Sequence, residues 1–132
     1  IKPGLAFKGK TDYMLVFGSE NDIRLLKPDF GRIRKLGGRG VIVTARGDEV
    51  DFVSRFFAHQ SGINEDPVTG SAHTTLIPYW AGETGKTEMT AMQLSLRKGY
   101  LHCRYLGKRV EISGEAQLYL IGEINVSQGS TG

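Results

Sequence analysis

One stretch of this chain carries the spacing of a substantial helix, and nearly everything around it is cut into short strand-like pieces. Ala72, Leu76, Tyr79 and Trp80 recur at helical intervals, and Gly82 or Gly85 offers the exit. Pro78 lies inside that pattern. It removes an N–H bond to Thr74 and crowds that carbonyl, so the reading predicts a kinked helix or two shorter turns. Strand composition appears at Asp12 to Phe17, Gly40 to Ala45 and Val50 to Phe57, then at Met92 to Arg97, Tyr100 to Tyr105, Arg109 to Ser113 and Ala116 to Ile124. Lys98-Gly99, Gly107-Lys108 and Gly114-Glu115 supply breaks, and Arg46-Gly47-Asp48 predicts a hairpin turn. A second, short helix is predicted between Asp29 and Leu36, ended by Gly37-Gly38. A lone apolar helix among strands must bury its face against their sheet. The expectation is an α+β fold, with a mostly antiparallel, curled, barrel-like sheet wrapped around a central helix.

At 132 residues and 39% hydrophobic the chain supports one core, whereas two would each be too small. One domain is expected over residues 1–124. The Ser/Gly/Gln-rich residues 125–132 are expected to form a flexible tail. The chain opens Ile1-Lys2-Pro3-Gly4 without methionine and reads as a piece of a longer protein.

Charge argues against nucleic acid as a partner. The 17 basic residues are offset by 14 acidic ones and dispersed, and the nearest cluster, Arg32, Arg34, Lys35 and Arg39, has no interleaved aromatics. There is no run of about 18 apolar residues and no leader pattern, so no membrane association and a cytoplasmic location are expected. The lone Cys103 cannot form an internal disulfide or a multi-cysteine metal site, and it reads as a half-buried strand residue.

The polar chemistry concentrates in Gly62 to His73, which holds Glu65, Asp66, Gly70, Ser71 and His73 just ahead of the long helix. Unpaired N–H groups at a helix start attract anions, and glycine allows close approach, so residues 70 to 72 form a candidate nest for a carboxylate or phosphate. Ser71 as an ordinary N-cap is an equally good reading of the same residues. Asp66, five residues before Ser71, is the candidate proton-transfer group. Adjacent acids such as Glu65-Asp66 also serve simply as loop solvation or as acceptors in an Asx turn. His73 is a proton shuttle or, more often for a lone histidine, a packing residue. In the strand before this loop Asp51, Val53, Arg55 and Phe57 share one face, which brings Arg55 close to the polar dozen. No third ligand accompanies Asp66 and His73 at a familiar spacing, so no metal is expected. The flanks of Ser71 do not form a nucleophile elbow, and the loop lacks a P-loop lysine.

Asp51-Phe52-Val53-Ser54-Arg55-Phe56-Phe57, then Gly62 to His73, then Pro78-Tyr79-Trp80, closely resemble the phenazine-biosynthesis isomerase-like (PhzF-like) family, relatives of diaminopimelate epimerase. The resemblance runs from about Lys8 to Ile124 and implies the C-terminal domain of a two-domain subunit, one half of a diaminopimelate epimerase-type fold. It implies an active site in the cleft between halves, where acid groups move a proton on a small carboxylic acid substrate without metal or cofactor. Asp66 matches the family's acid in Glu-Asp-Pro, Gly70 and Ser71 its substrate-contacting Gly-Ser, and His73 follows in the usual place. The family's principal catalytic glutamate would belong to an N-terminal domain that these residues do not include. His59 stands where relatives often carry proline.

The function expected is therefore the C-terminal half of a cofactor-independent isomerase or epimerase, inactive in isolation. In this reading Asp66 is catalytic, Gly70, Ser71, Ala72 and His73 bind substrate, and Glu65 and Arg55 support the loop. Self-association, most simply as a dimer, is expected from exposed cleft surface. The alternative is a non-catalytic module of the same fold that binds a small acid or serves assembly.

Overall fold

Parallel neighbours in a sheet cannot be joined by a tight turn, and in this chain the two parallel joins decide where every helix lies. The computed structural model describes residues 1–60 and 62–129. In chain order the elements are β1 (Leu5–Lys8), β2 (Asp12–Val16), α1 (Glu20–Leu25), α2 (Phe30–Ile33), β3 (Gly40–Arg46) and β4 (Phe52–Phe57). Then come α3 (Gly70–Thr84), β5 (Glu88–Gln93), β6 (Gly99–Tyr105) and β7 (Val110–Ser113). The seven strands form one sheet in sequential order. β2 runs parallel to β3 and β4 parallel to β5, while the other four pairs are antiparallel. The first crossover carries α1 and α2, and the second carries α3. Both crossovers step the same way across the sheet, but β3 and β4 are antiparallel, so right-handed connections place their helices on opposite faces.

The two faces have separate apolar groups. Ile23 of α1 packs with Phe17, Val41, Val43, Ala45, Val53 and Phe57 on one side. On the other, Leu76, Ile77 and Trp80 of α3 pack with Met14, Ile42, Phe52, Phe56, Met89 and Ala91. β3 and β4 alternate between these groups and are buried on both faces, which is why their sequences are apolar at nearly every position. The sheet bends around α3 until both edges meet it. Phe7 of β1 lies 5.7 Å from Tyr79, and Val110 and Ile112 of β7 pack against the same group. β1 and β7 do not pair with each other, so the expected barrel-like sheet is open and mixed.

Four local expectations change. Pro78 does not divide α3, which runs unbroken over 15 residues to Gly85. The carbonyl that Pro78 frees belongs to Thr74, an exposed residue. Gly85, at φ 72°, closes the helix with its N–H on Ala81 O, as a left-handed glycine cap does. A helix not foreseen, α1, forms where the Ser19 Oγ accepts from Asp22 N–H. β5 ends at Gln93, four residues before the predicted Arg97. Finally, the strand predicted from Ala116 to Ile124 does not form. Leu118, Tyr119, Leu120, Ile121 and Ile124 are 76% to 97% exposed, with no neighbouring strand among the described residues to supply ladder bonds. The predicted tail continues this strand-free course through 129, and residues 130–132 lie outside the described residues.

Among the described residues no helix is long and apolar enough to cross a membrane. Cys103 is buried on β6, and burial, reinforced by the Asp51 charge, pushes its thiol up to about 11, so it carries little thiolate at neutral pH.

One polar chain crosses the core between α3 and the sheet. Trp80 Nε1–H donates to Thr44 Oγ1 at 2.9 Å, and that hydroxyl donates to Val53 O at 2.7 Å. Thr44→Val leaves the indole N–H buried without an acceptor, and is expected to cost about 1–3 kcal/mol in urea unfolding followed by Trp80 fluorescence.

Candidate functional site

The loop from β4 to α3 is held by three anchors, one of backbone bonds to the end of β4 and two made by side chains of β4 and of β5 with its immediate extension. The first is local: Asp66 N–H donates to Phe56 O at 3.0 Å and Ala58 N–H to Asn64 O at 3.2 Å, folding the loop back on the end of β4. The second is Arg55. Its Nε and Nη2 meet Glu65 Oε1 and Oε2 at 2.8 and 2.9 Å, a bidentate pair, while Nη1 donates to Ile23 O and Leu26 O behind α1. The guanidinium also lies over Phe57, 5.1 Å from the ring centroid. Arg55 and Glu65 therefore neutralise each other, largely out of water, and Arg55 is not free to attract an anion.

The third anchor comes from the end of β5. Gln93 is buried, and its Oε1 accepts from Thr69 N–H at 2.8 Å. Its Nε2 donates to Asp66 O at 2.8 Å and to Thr69 Oγ1 at 3.0 Å. Just beyond, Ser95 Oγ donates to Pro67 O at 2.7 Å. Val68, between these anchored residues, lies against Gly99 so closely that a Cβ there would overlap it.

Thr69 is the N-cap of α3, but its hydroxyl does not cap the helix. It donates instead to Asp66 Oδ2 at 2.7 Å. Ser71, read as a possible cap, sits inside the first turn. The first N–H groups of α3, on Gly70, Ser71 and Ala72, thus have neither helical acceptors nor a side-chain cap. Gly70 and Ser71 are exposed, and a Cβ built on Gly70 would meet nothing within 4 Å. Neither packing nor a positive φ requires glycine at 70, and its absent side chain leaves the helix start open.

His73 turns the other way. It is fully buried beside Phe52, and its Nδ1 lies 2.7 Å from Thr69 O. A carbonyl only accepts, so Nδ1 carries the proton. Nε2 has no hydrogen-bond partner among the described residues. Burial holds the imidazole below its ordinary pKa of 6.5, against the smaller opposing pull of the Thr69 carbonyl. The fold therefore places Gly70 and Ser71 at the surface near half-buried Asp66, and keeps the side chains of Ala72 and His73 beneath. Among the described residues no three His, Cys, Asp or Glu side chains group as metal ligands.

Thr69, Gln93 and Ser95 were not singled out by sequence. The available signal was the alternation in β5, where Met89 and Ala91 face the α3 core and Gln93, next on that face, is polar. Placing the strand at Met92 to Arg97 hid it.

A family model described as phenazine biosynthesis-like protein matches residues 1–122. An uncharacterized isomerase of Pseudomonas aeruginosa is 53% identical over 115 residues, covering 87% of this chain and 44% of the relative. A second from the same organism is 52% identical over 126 residues, covering 95% and 48%. Among solved structures, a phenazine biosynthesis protein of the PhzF family from Enterococcus faecalis superposes with a TM-score of 0.86 at 45% identity, over 95% of this chain and 48% of that one. A PhzC/PhzF protein from Clostridium difficile gives 0.85 at 42%, over 96% and 49%. The chain spans about half the length of the relatives it matches.

The buried neutral His73 links stability to pH. Its folded pKa lies below 6.5, so the unfolded chain takes up this proton first as pH falls, and the stabilisation present above about 6.5 is lost below it. Urea midpoints should fall between pH 7.5 and 5.5, and His73→Gln should flatten that slope; an unchanged slope would assign the loss to other groups.

Proposed function

The chain belongs to the phenazine biosynthesis-like protein family, and from that membership we propose that it is the C-terminal half of a cofactor-independent isomerase or epimerase acting on a small carboxylic acid. In this reading the N–H groups of Gly70, Ser71 and Ala72 hold the substrate carboxylate, and Asp66 moves or orients a proton beside it. His73 supports Thr69 from below, and Arg55 with Glu65 fixes the loop. The observation that carries the proposal is the diverted cap: the Thr69 hydroxyl is bonded to Asp66 at 2.7 Å, which leaves the helix start uncapped beside a carboxylate.

The chemistry follows from that pairing. Three N–H dipoles at the positive end of a 15-residue helix suit an anion without a cationic side chain. A bound substrate carboxylate is thereby oriented with its neighbouring carbon near Asp66. A carboxyl group so placed can exchange a proton with that carbon, or hold the substrate while another acid does so. Isomerisation by proton shift needs a proton both removed and returned, and Asp66 supplies one acid. The second belongs, on this proposal, to the remainder of a longer chain. The relatives named isomerases are about twice as long as this chain, which supports that division.

The apolar run beyond β7 supports the same reading. Leu118, Leu120, Ile121, Ile124 and Val126 are each more than three-quarters exposed, a row of apolar side chains that a partner surface would cover.

Two outcomes test the proposal. In the full-length parent, Asp66→Asn is expected to lower kcat/KM about 10²-fold or more, and Ser71→Pro, which removes that N–H in a first turn where proline is tolerated, to raise KM; turnover on its own substrate unaltered by both removes the assigned roles. The isolated chain is expected to be inactive and to self-associate, and light scattering at high concentration that finds only monomer counts against the exposed partner surface.

A further inference from the structure

We infer that Gln93 is a positioning residue for Asp66: by donating to the Thr69 hydroxyl oxygen, it commits the hydroxyl proton to the Asp66 carboxylate and holds the oxygen away from the N–H groups that it would otherwise cap. The inference rests on the proposed role of Asp66 for its functional meaning, though the hydrogen-bond geometry exists independently of that role.

A primary amide has one accepting end and one donating end, and both ends of Gln93 are used on the same loop. Oε1 accepts from Thr69 N–H at 2.8 Å, which sets the amide's orientation. Nε2 must then point at Asp66 O, 2.8 Å away, and at Thr69 Oγ1, 3.0 Å away. Because Nε2 is a donor, the hydroxyl oxygen is obliged to accept there, and its single proton turns elsewhere. The acceptor it meets is Asp66 Oδ2, at 2.7 Å. The reverse arrangement, with the hydroxyl donating to Gln93, would set Nε2 against the Thr69 N–H. The relay thus has one self-consistent direction: Gln93 amide to Thr69 hydroxyl to Asp66 carboxylate.

Two consequences follow. One carboxylate oxygen accepts from a fixed donor, which sets the direction of the group. The Thr69 oxygen is turned toward Nε2 and Asp66 and makes no cap on the first N–H groups of α3. A core-filling role alone does not account for this pattern, since Met89 and Ala91 fill the same face of β5 with apolar groups, and Gln93 spends its whole hydrogen-bonding capacity on the loop. Ser95 provides an internal comparison. It anchors the same loop at Pro67 O but touches neither Thr69 nor the carboxylate.

The experiment uses the chain itself, labelled with 13C and 15N, and follows the chemical shift of the Asp66 carboxyl carbon by NMR at one fixed neutral pH alongside thermal unfolding. The neighbouring charged pair, Arg55 and Glu65, is the same in every variant. Gln93→Met and Thr69→Val are each expected to move that shift in the same direction, since each frees or removes the hydroxyl that donates to the carboxylate. The double variant should move it no further than the larger single effect, as for groups in one network. Ser95→Ala is expected to lower the melting temperature while leaving that shift in place. An Asp66 signal that responds equally to Ser95→Ala and Gln93→Met, or that ignores Thr69→Val, overturns the inference. Should Gln93→Met fail to fold, Gln93→Glu decides instead, because an ionised carboxylate still accepts from Thr69 N–H but cannot donate to the hydroxyl. No substrate enters this measurement, so its failure is separate from failure of the proposed chemistry, which the Asp66→Asn variant of the full-length parent reports.

Discussion

The parallel pairing of β4 with β5 is the constraint on which the candidate site depends. Parallel strands end at the same edge of a sheet, and the connection between them must leave β4 at its C-terminal end and return along one face. α3 therefore starts near that edge, and the end of β5 arrives there too. This is the physical reason that Gln93 and Ser95, more than twenty residues after the loop in sequence, can bind Asp66, Pro67 and Thr69. An antiparallel β4–β5 join would have put the other end of β5 at this edge, and the loop would have lost its deepest anchors. Open sheets tend to place ligand sites beyond the C-terminal ends of parallel strands for this reason, because loops and helix starts converge there.

Much of this was readable in the residues, and the exceptions share a cause. The spacing of Ala72, Leu76 and Trp80 marks the buried stripe of α3, and the left-handed closure at Gly85 follows from glycine's freedom at φ 72°. Gly62 to His73 stands out as a polar loop because its composition is local. Strand direction is not local: nothing between Phe57 and Glu88 states whether β5 lies parallel to β4, and the parallel joins emerge only from the completed sheet. Gln93 escaped notice for the same reason, since its partners are set by pairing rather than by neighbours in sequence. Pro78 misled in the other direction. Its penalty is largest in a buried helix centre, and the residue whose carbonyl it frees, Thr74, is exposed. α1 was missed because six residues offer too little periodicity, and its formation rests on the Ser19 cap and the burial of Ile23.

The loop's electrostatics are arranged by subtraction. Arg55, the cation nearest the loop, is tied to Glu65 and to two carbonyls of the α1 exit, so it stiffens the loop without presenting positive charge. The His73 imidazole is buried and kept neutral. Exposed Arg34 reaches the loop only at Asn64, and the α3 start contributes its partial positive charge beside the Asp66 carboxylate, with the Thr69 hydroxyl bonded to that carboxylate. If the Thr69 side chain capped the helix in the usual way, about 1 kcal/mol of helix stabilisation would be gained and an anion would lose a donor. The fold forgoes that cap, and the Gln93 amide compensates by satisfying the Thr69 N–H and the Asp66 carbonyl instead.

A dipolar site of this kind is weak while water competes for it. Helix-end attraction for an anion is a few tenths to about 1 kcal/mol at an exposed surface and grows as solvent is excluded. Gly70 and Ser71 are exposed, so this wall alone holds an anion poorly. Covering it would strengthen the same N–H groups without any change in their geometry, and would at the same time desolvate Asp66. Exposed apolar side chains from Leu118 to Val126 follow β7, and β7 packs along α3. On the proposed reading, binding strength and proton transfer thus arise together, when a second surface closes over a helix start that Gln93 has kept uncapped.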